Sequence, residues 1–390
     1  MKRQLTLFLL LCLCIAPCAA FARSGETLDQ QADGIFRMSR TTGGALVVTR
    51  GGKIVYERYY GYRNQEQEIP VTKDTYFRIA SVTKMVSAIG LLQLMEQGRA
   101  ALDTDIGAYF GYDIENTNYP DVPLTLRQLM SHTSTLSIAG GFGSEKPLYE
   151  MLSAAVHRRA NYTDNAPGSV YDYSNFGAGV AGAVLEAITG MSVNRYMRQN
   201  VFEPLGFDAS YDAAALREPE QISNLYNADG SRYRSASYLL QETYDDRADP
   251  ENHYRTTVGS LWIRADDLAA IAMALCGNGT VNGVRLVSEE SIALMRADQA
   301  APGTSVTAES PYGLFLQRED TLVDGKVFYG HQGLLSGVLC NVYFDPETQF
   351  CFVLLTNGCN NVLQNHVGVL ARRLFALAYE NFAADAGSEP

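Results

Sequence analysis

Tyr76-Phe77-Arg78-Ile79-Ala80-Ser81-Val82-Thr83-Lys84 is the stretch on which the reading of this chain turns. An aromatic, β-prone segment runs into Ala80, and an apolar run with helical spacing follows from Ser81 to Gln97, with Gly98 placed to cap its end. Ser81 therefore opens a helix, and Lys84, one turn on, shares its face. A serine hydroxyl is a poor nucleophile until a nearby base takes its proton. A lysine held partly out of water loses enough basicity to take or share that proton. The helix N-terminus favours developing negative charge, and the Ser81 N–H can point at an oxyanion. A capping serine beside a solvated lysine is the plainer reading of the same residues. Ser-x-x-Lys alone does not separate the two.

Two further motifs do more in company than alone. Tyr173-Ser174-Asn175 follows the turn-rich Pro167-Gly168-Ser169 and precedes a Gly-rich helix expected over residues 177–189, which places Tyr173 on a connecting loop. A tyrosine beside an ammonium has its phenol pKa drawn down from about 10, so Tyr173 is a candidate to take the Ser81 proton and return it to a leaving group. Asn175 offers both an amide donor and an acceptor to a substrate. His331-Gln332-Gly333 is expected at the end of a strand, where Gly333 would let a substrate backbone approach the strand edge. His331 there would supply a hydrogen bond or partial positive charge. With 23 tyrosines in the chain, a structural role for Tyr173 is the competing reading, as a solvent-facing strand end is for His331.

Composition bounds the rest. The 390 residues are 46% hydrophobic and 19% charged, which is ordinary globular material able to bury a large core. A formal net charge of -12 argues against nucleic acid or an anionic membrane surface as partner, since both need clustered Lys and Arg. Lys2 and Arg3, the apolar run Leu5 to Ile15 and Ala20-Phe21-Ala22 read as an export signal over residues 1–22, too short for a membrane span. That implies a mature chain starting near Arg23 in the periplasm, cell envelope or outside the cell. Lipidation at Cys18 is disfavoured by Pro17. Of seven cysteines, Cys276, Cys340, Cys351 and Cys359 lie beyond the leader. Cys340 and Cys351 fall on the arms of one expected hairpin, where either a disulfide or two buried thiols would fit. No Cys/His spacing resembles a zinc site, and the motifs call for no cofactor.

The expected architecture is α+β. An antiparallel sheet is built from both chain ends (about 23–76 and 300–383), with a mainly helical lobe from about 77 to 299 and a frayed tail at 384–390. Strands are expected over 45–49, 54–58, 327–331, 337–344 and 350–356, and helices over 28–40, 126–131, 193–200, 265–275 and 362–379. Residues 138–147 look like a rim loop. Residues 208–255, polar and rich in Tyr, Asp and Arg, form a long irregular stretch expected to be functional.

Taken together, the chain resembles the serine β-lactamase and penicillin-binding-protein superfamily, in particular its class C β-lactamase-like, D-Ala-D-Ala carboxypeptidase and esterase branch. The resemblance rests on Phe77 to Lys84, Leu129-Met130-Ser131-His132-Thr133-Ser134, Tyr171 to Asn175, Val201-Phe202-Glu203-Pro204-Leu205-Gly206, Gly330 to Gly333 and Leu354-Leu355-Thr356-Asn357, and covers nearly all of the mature chain. It implies Ser81 as the acylated nucleophile, Lys84 and Tyr173 sharing base and acid duties, and Asn175 contacting substrate. The Ser81 and Leu334 N–H groups would form the oxyanion hole, and His132 would be structural. One departure matters: His331-Gln332-Gly333 stands where β-lactamases carry Lys-Thr-Gly, so Gln332 would meet a substrate carboxylate only through its longer amide in place of the threonine hydroxyl, which argues against efficient β-lactam hydrolysis and weakens carboxylate recognition. Exported hydrolysis of D-amino-acid peptides or small esters is the leading expectation. A true β-lactamase and a non-catalytic ligand-binding module are the alternatives. The substrate, the oligomeric state and the role of residues 208–255 are not legible.

Overall fold

We describe a computed structural model over residues 25–137, 146–156, 159–299 and 312–383. The leader, Cys18, most of the expected rim loop and the tail lie outside the described residues.

Seven antiparallel strands form one sheet: β1 (Gly43–Arg50), β2 (Lys53–Asn64), β3 (Ile69–Pro70), β4 (Gln317–Glu319), β5 (Phe328–Leu335), β6 (Val338–Asp345) and β7 (Phe350–Gly358). They lie in the order β4-β5-β6-β7-β1-β2-β3, so the N-terminal hairpin joins the C-terminal meander where β1 pairs with β7. Strand period two decides which face each residue covers. Along β1, Ala45 and Val47 enter one core while Leu46 and Val48 enter another on the opposite face. Helices α1 (Leu28–Met38) and α7 (Val369–Phe382) cover the second face. The first face is covered by α2 (Val82–Glu96) and α6 (Ala265–Cys276). Cover on both sides is why β1 and β7 read as continuous apolar runs rather than alternating ones.

Helix α2 is the internal one. Its residues are buried all round, including Lys84, Ser87 and every residue from Val82 to Leu92. It packs on α4 (Asn175–Thr189), which starts two residues earlier than the sequence pattern predicts because Ser174 caps it, its Oγ accepting from Gly177 N–H at 2.9 Å. Gly179 of α4 lies so close to the following layer that a Cβ there would fall 2.1 Å from the Tyr254 carbonyl oxygen. That contact seats the short helix α5 (Thr256–Gly259) against the start of α2.

Four expectations need correction. His331-Gln332-Gly333 lies inside β5, which continues to Leu335, rather than at a strand end. The last helix begins at Val369, not Val362, because Asn365 and His366 both take positive φ (46° and 54°) and turn a small hairpin between Leu363–Gln364 and Val367–Gly368. The expected helix 193–200 is regular only over Val193–Met197 and then widens into a π turn over Arg198–Phe202. Finally, Cys351 sits opposite Phe344 in the β6–β7 register, four residues along from Cys340, too far for a bond between them. Cys276, Cys340, Cys351 and Cys359 are all free and buried. Residues 208–255 carry short helical turns and a two-strand pair, Leu225–Tyr226 with Arg232–Arg234, pinned by Asp208, whose carboxylate accepts from the Tyr76 hydroxyl at 2.7 Å.

Candidate active site

Ser81 is placed by a strained approach. Phe77–Arg78 pairs with Trp262–Ile263, and Ile79 N–H donates to the Leu261 carbonyl at 3.0 Å, fixing the entering backbone. Ala80 then takes φ +47°, a left-handed conformation that costs an L-residue about 1–2 kcal/mol. Such strain persists only where the surroundings over-determine it. Ser81 follows with helical torsions but makes no capping bond, which leaves its Oγ free for other chemistry.

Lys84 Nζ donates to Ser81 Oγ at 3.0 Å and to the Val258 carbonyl at 2.8 Å. Its side chain is fully buried and has no ion-pair partner among the described residues. Desolvation lowers its pKa from 10.5 to about 7, so the neutral amine that can accept a proton is well populated near neutrality. A solvated lysine beside a capping serine is therefore excluded. The Val258 carbonyl, delivered by α5, gives no signal in a sequence because any residue type carries one.

Tyr173 lies beside this pair: Lys84 Nζ is 5.2 Å from its ring centroid, and the His132 ring is 4.2 Å away. His132 is buried among Tyr171, Tyr173, Tyr312 and Phe315. Its Nδ1 accepts from Ser174 N–H at 3.1 Å, so in the neutral ring the proton is on Nε2. Burial holds its pKa far below the usual imidazole range, with the Lys84 and His331 charges acting in the same direction. The neutral, packed ring holds the backbone at Ser174 through its Nδ1 bond. Asn175, one residue on, lines the cleft, and its buried Oδ1 has no partner among the described residues.

His331 does not reach the cleft as a cation. It is 1% exposed, its Nδ1 lies 2.6 Å from the Gln332 carbonyl oxygen and its Nε2 3.0 Å from the Tyr312 hydroxyl. A carbonyl only accepts, so Nδ1 carries the proton and Nε2 accepts from Tyr312. Burial, with the Lys84 charge adding to it, lowers the His331 pKa to about 3 and keeps the ring neutral. Gln332 turns to the opposite side of the strand. Its Nε2 donates to the His366 carbonyl at 2.8 Å, while Oε1 accepts from Gly368 N–H at 2.9 Å and Asn341 Nδ2 at 3.2 Å. The amide expected to meet a substrate carboxylate is thus committed to the hairpin before α7. Tyr312, which no sequence motif singles out, completes this end of the site.

Gly333 lies directly against Ser81, and Leu334 shares the cleft with it. A Cβ on Gly333 would fall 2.5 Å from the Ile79 carbonyl oxygen and 3.0 Å from Ser81 N, so only glycine lets β5 lie against the Ser81 turn. Strand β4 pairs with β5 only as far as Gly330, leaving the edge beyond open. Gln332 N–H points off that edge, donating to Gln317 Oε1 at 2.8 Å. By strand alternation the Leu334 N–H points the same way, toward the cleft. Among the described residues the Ser81 N–H has no hydrogen-bond partner. The cleft before them has a volume of about 420 Å³, with Arg78, Ser81, Asn175, Arg255 and Leu334 in its walls. Residues 244–260 supply one side of it, which gives the long 208–255 stretch a place in the site.

A buried lysine on a serine at a helix start, a neighbouring tyrosine and an open strand edge form one constellation, and comparison with known proteins places it. The Beta-lactamase family model matches residues 28–371. The chain belongs to this family. It is 31% identical to Esterase EstB of Burkholderia gladioli over 53% of this chain and 57% of that one. It is 28% identical to Penicillin-binding protein 4 of Amycolatopsis lactamdurans over 81% of each. The match to EstB therefore spans little more than half of that relative's length. A class C β-lactamase mutant superposes with a TM-score of 0.70 at 15% identity, covering 90% of this chain and 96% of that one. The D-amino acid amidase of Ochrobactrum anthropi superposes with a TM-score of 0.67 at 21% identity, covering 91% and 99%. The chain accordingly falls in the serine hydrolase superfamily that holds esterases, carboxypeptidases and β-lactamases.

Proposed function

We propose that Ser81 is acylated by esters and D-amino-acid amides or peptides and then released by water, with small esters favoured over β-lactams. The observation that carries this reading is the third motif. His331 is neutral and bonded to Tyr312, and Gln332 faces away, so neither offers a charge or a free donor to the carboxylate of a β-lactam or of a C-terminal D-alanine. In the proposed cycle neutral Lys84, with Tyr173, takes the Ser81 proton as Oγ bonds to the substrate carbonyl carbon. The Ser81 and Leu334 N–H groups hold the oxyanion. Collapse breaks the bond to the leaving group, which Tyr173 protonates. Water then attacks the acyl-enzyme with the same groups acting in reverse, and Ser81 recovers its proton.

The charged, apolar and small-residue pattern of residues 1–22 supports an exported protein, which N-terminal sequencing of the mature form tests. Steady-state rates on 4-nitrophenyl butyrate, a D-alanyl-D-alanine peptide and benzylpenicillin test the substrate reading. The ester should have the highest kcat/KM, and all activity should vanish in Ser81→Ala. Penicillin turned over faster than the ester would reverse the assignment in favour of a β-lactamase.

A further inference from the structure

We propose that the cleft selects substrates whose acyl group carries a carboxylate, held by Arg78 and Arg255. This rests on the acyl-enzyme reading and names the substrate class for that site. In a chain of net charge -12, the cleft at Ser81 is lined, among the described residues, by Arg78, His253 and Arg255 and by no Asp or Glu. The other arginines between residues 208 and 264 are matched: Arg217 with Asp208, Arg232 with Glu66, Arg234 with Glu242, Arg247 with Asp245 and Arg264 with Glu218. Arg78 and Arg255 have no carboxylate partner among the described residues. His253 lies 3.4 Å from the buried Glu186 carboxylate, which matches its charge, so the unmatched positive charge belongs to the two arginines.

Both arginines are tied to the catalytic frame. Arg78 Nε donates to the Gly259 carbonyl at 2.9 Å, which sets the plane of its guanidinium and leaves its Nη nitrogens for another acceptor. Arg255 caps the start of α5, three residues before the Val258 carbonyl that holds Lys84. A guanidinium fork suits a carboxylate better than a point charge does. The side of the substrate follows from the acid: a leaving group must lie by Tyr173, which is not among the residues lining this cleft, so the cleft takes the acyl part.

The test uses the full mature chain and three esters of similar size: 4-nitrophenyl butyrate, mono-4-nitrophenyl glutarate, and a butyrate ester whose carboxylate sits on the nitrophenyl leaving group. We expect kcat/KM for the glutarate to exceed that for the butyrate by about tenfold, the worth of a charge-assisted hydrogen bond. That ratio should fall toward one in Arg255→Gln, recover in part in Arg255→Lys, and shrink in about 0.5 M salt. A ratio at or below one in the wild type, a ratio unmoved by Arg255→Gln and Arg78→Lys, or a preference for the carboxylate on the leaving group would overturn the proposal while leaving the hydrolase intact. Failure of every ester to add mass at Ser81 would remove the acyl-enzyme reading and the proposal together.

Discussion

At half-buried Ser81 and fully buried Lys84, polar atoms keep bonding capacity in reserve. At His331 and Gln332, on the strand that touches them through Gly333, every side-chain nitrogen and oxygen is already bonded within the protein. The first region is held by backbone strain at Ala80 and by an apolar shell that strips Lys84 of water. The second is held by saturation. Burial lowers the pKa of Lys84 and of His331 alike, yet of their two hydroxyl partners only that of Ser81 lines the cleft. Reactivity follows spare hydrogen-bonding capacity rather than burial as such.

The sharpest way to break this contrast is at Lys84. Lys84→Met should lower kcat/KM on the best ester by roughly 10⁴-fold or more, as loss of a residue that acts with the nucleophile does. It should also stabilise the fold. The folded pKa of about 7 lies below the ordinary 10.5, so the folded state binds fewer protons than the unfolded one between those values. The burial penalty therefore grows as pH falls through that window and is fully present below about pH 7. Thermal melts should show Lys84→Met gaining on the order of 1–3 kcal/mol at pH 7 and much less near pH 10.

Tyr173→Phe keeps the ring against His132 and removes only the hydroxyl, so activity should drop by about 10²–10⁴-fold with little change in melting temperature. Gly333→Ala pushes a methyl into the Ile79 carbonyl and the Ser81 amide. Displacing the nucleophile and the oxyanion donor in this way should cost roughly 10²-fold in kcat, read by burst kinetics. Gln332→Leu sits at the other pole. It strands Gly368 N–H and the His366 carbonyl, so it should destabilise the protein by about 2–4 kcal/mol in denaturant titrations. Its kcat on a neutral ester should stay closest to wild type of the four variants.

The same contrast marks what a sequence can carry. The helix after Ser81, the pairing of β1 with β2 and the approach of Lys84 to Ser81 depend on neighbours a few residues apart and were readable from spacing. Gln332 was read as facing substrate because a strand pattern says which residues share a face but not what waits on either side. Its partners, His366 and Gly368, arrive 34 and 36 residues later through a hairpin whose turn, Asn365-His366, hid inside an apparent helix. The Val258 carbonyl comes to Lys84 from 174 residues away and carries no side-chain signature. Arg78 stood in the first motif throughout, but its lack of an acidic partner is visible only once the walls of the cleft are assembled.

The central claim is that Ser81 is the nucleophile and that a near-neutral Lys84 activates it. A fluorophosphonate probe followed by intact mass and peptide mapping, in wild type and Ser81→Ala across pH 5 to 9, tests both parts at once. The account predicts a single adduct on Ser81, absent from the variant, formed at a rate that rises as pH passes through about 7 and Lys84 loses its proton. An adduct persisting in Ser81→Ala, or a labelling rate on Ser81 that is flat across that range, would contradict it.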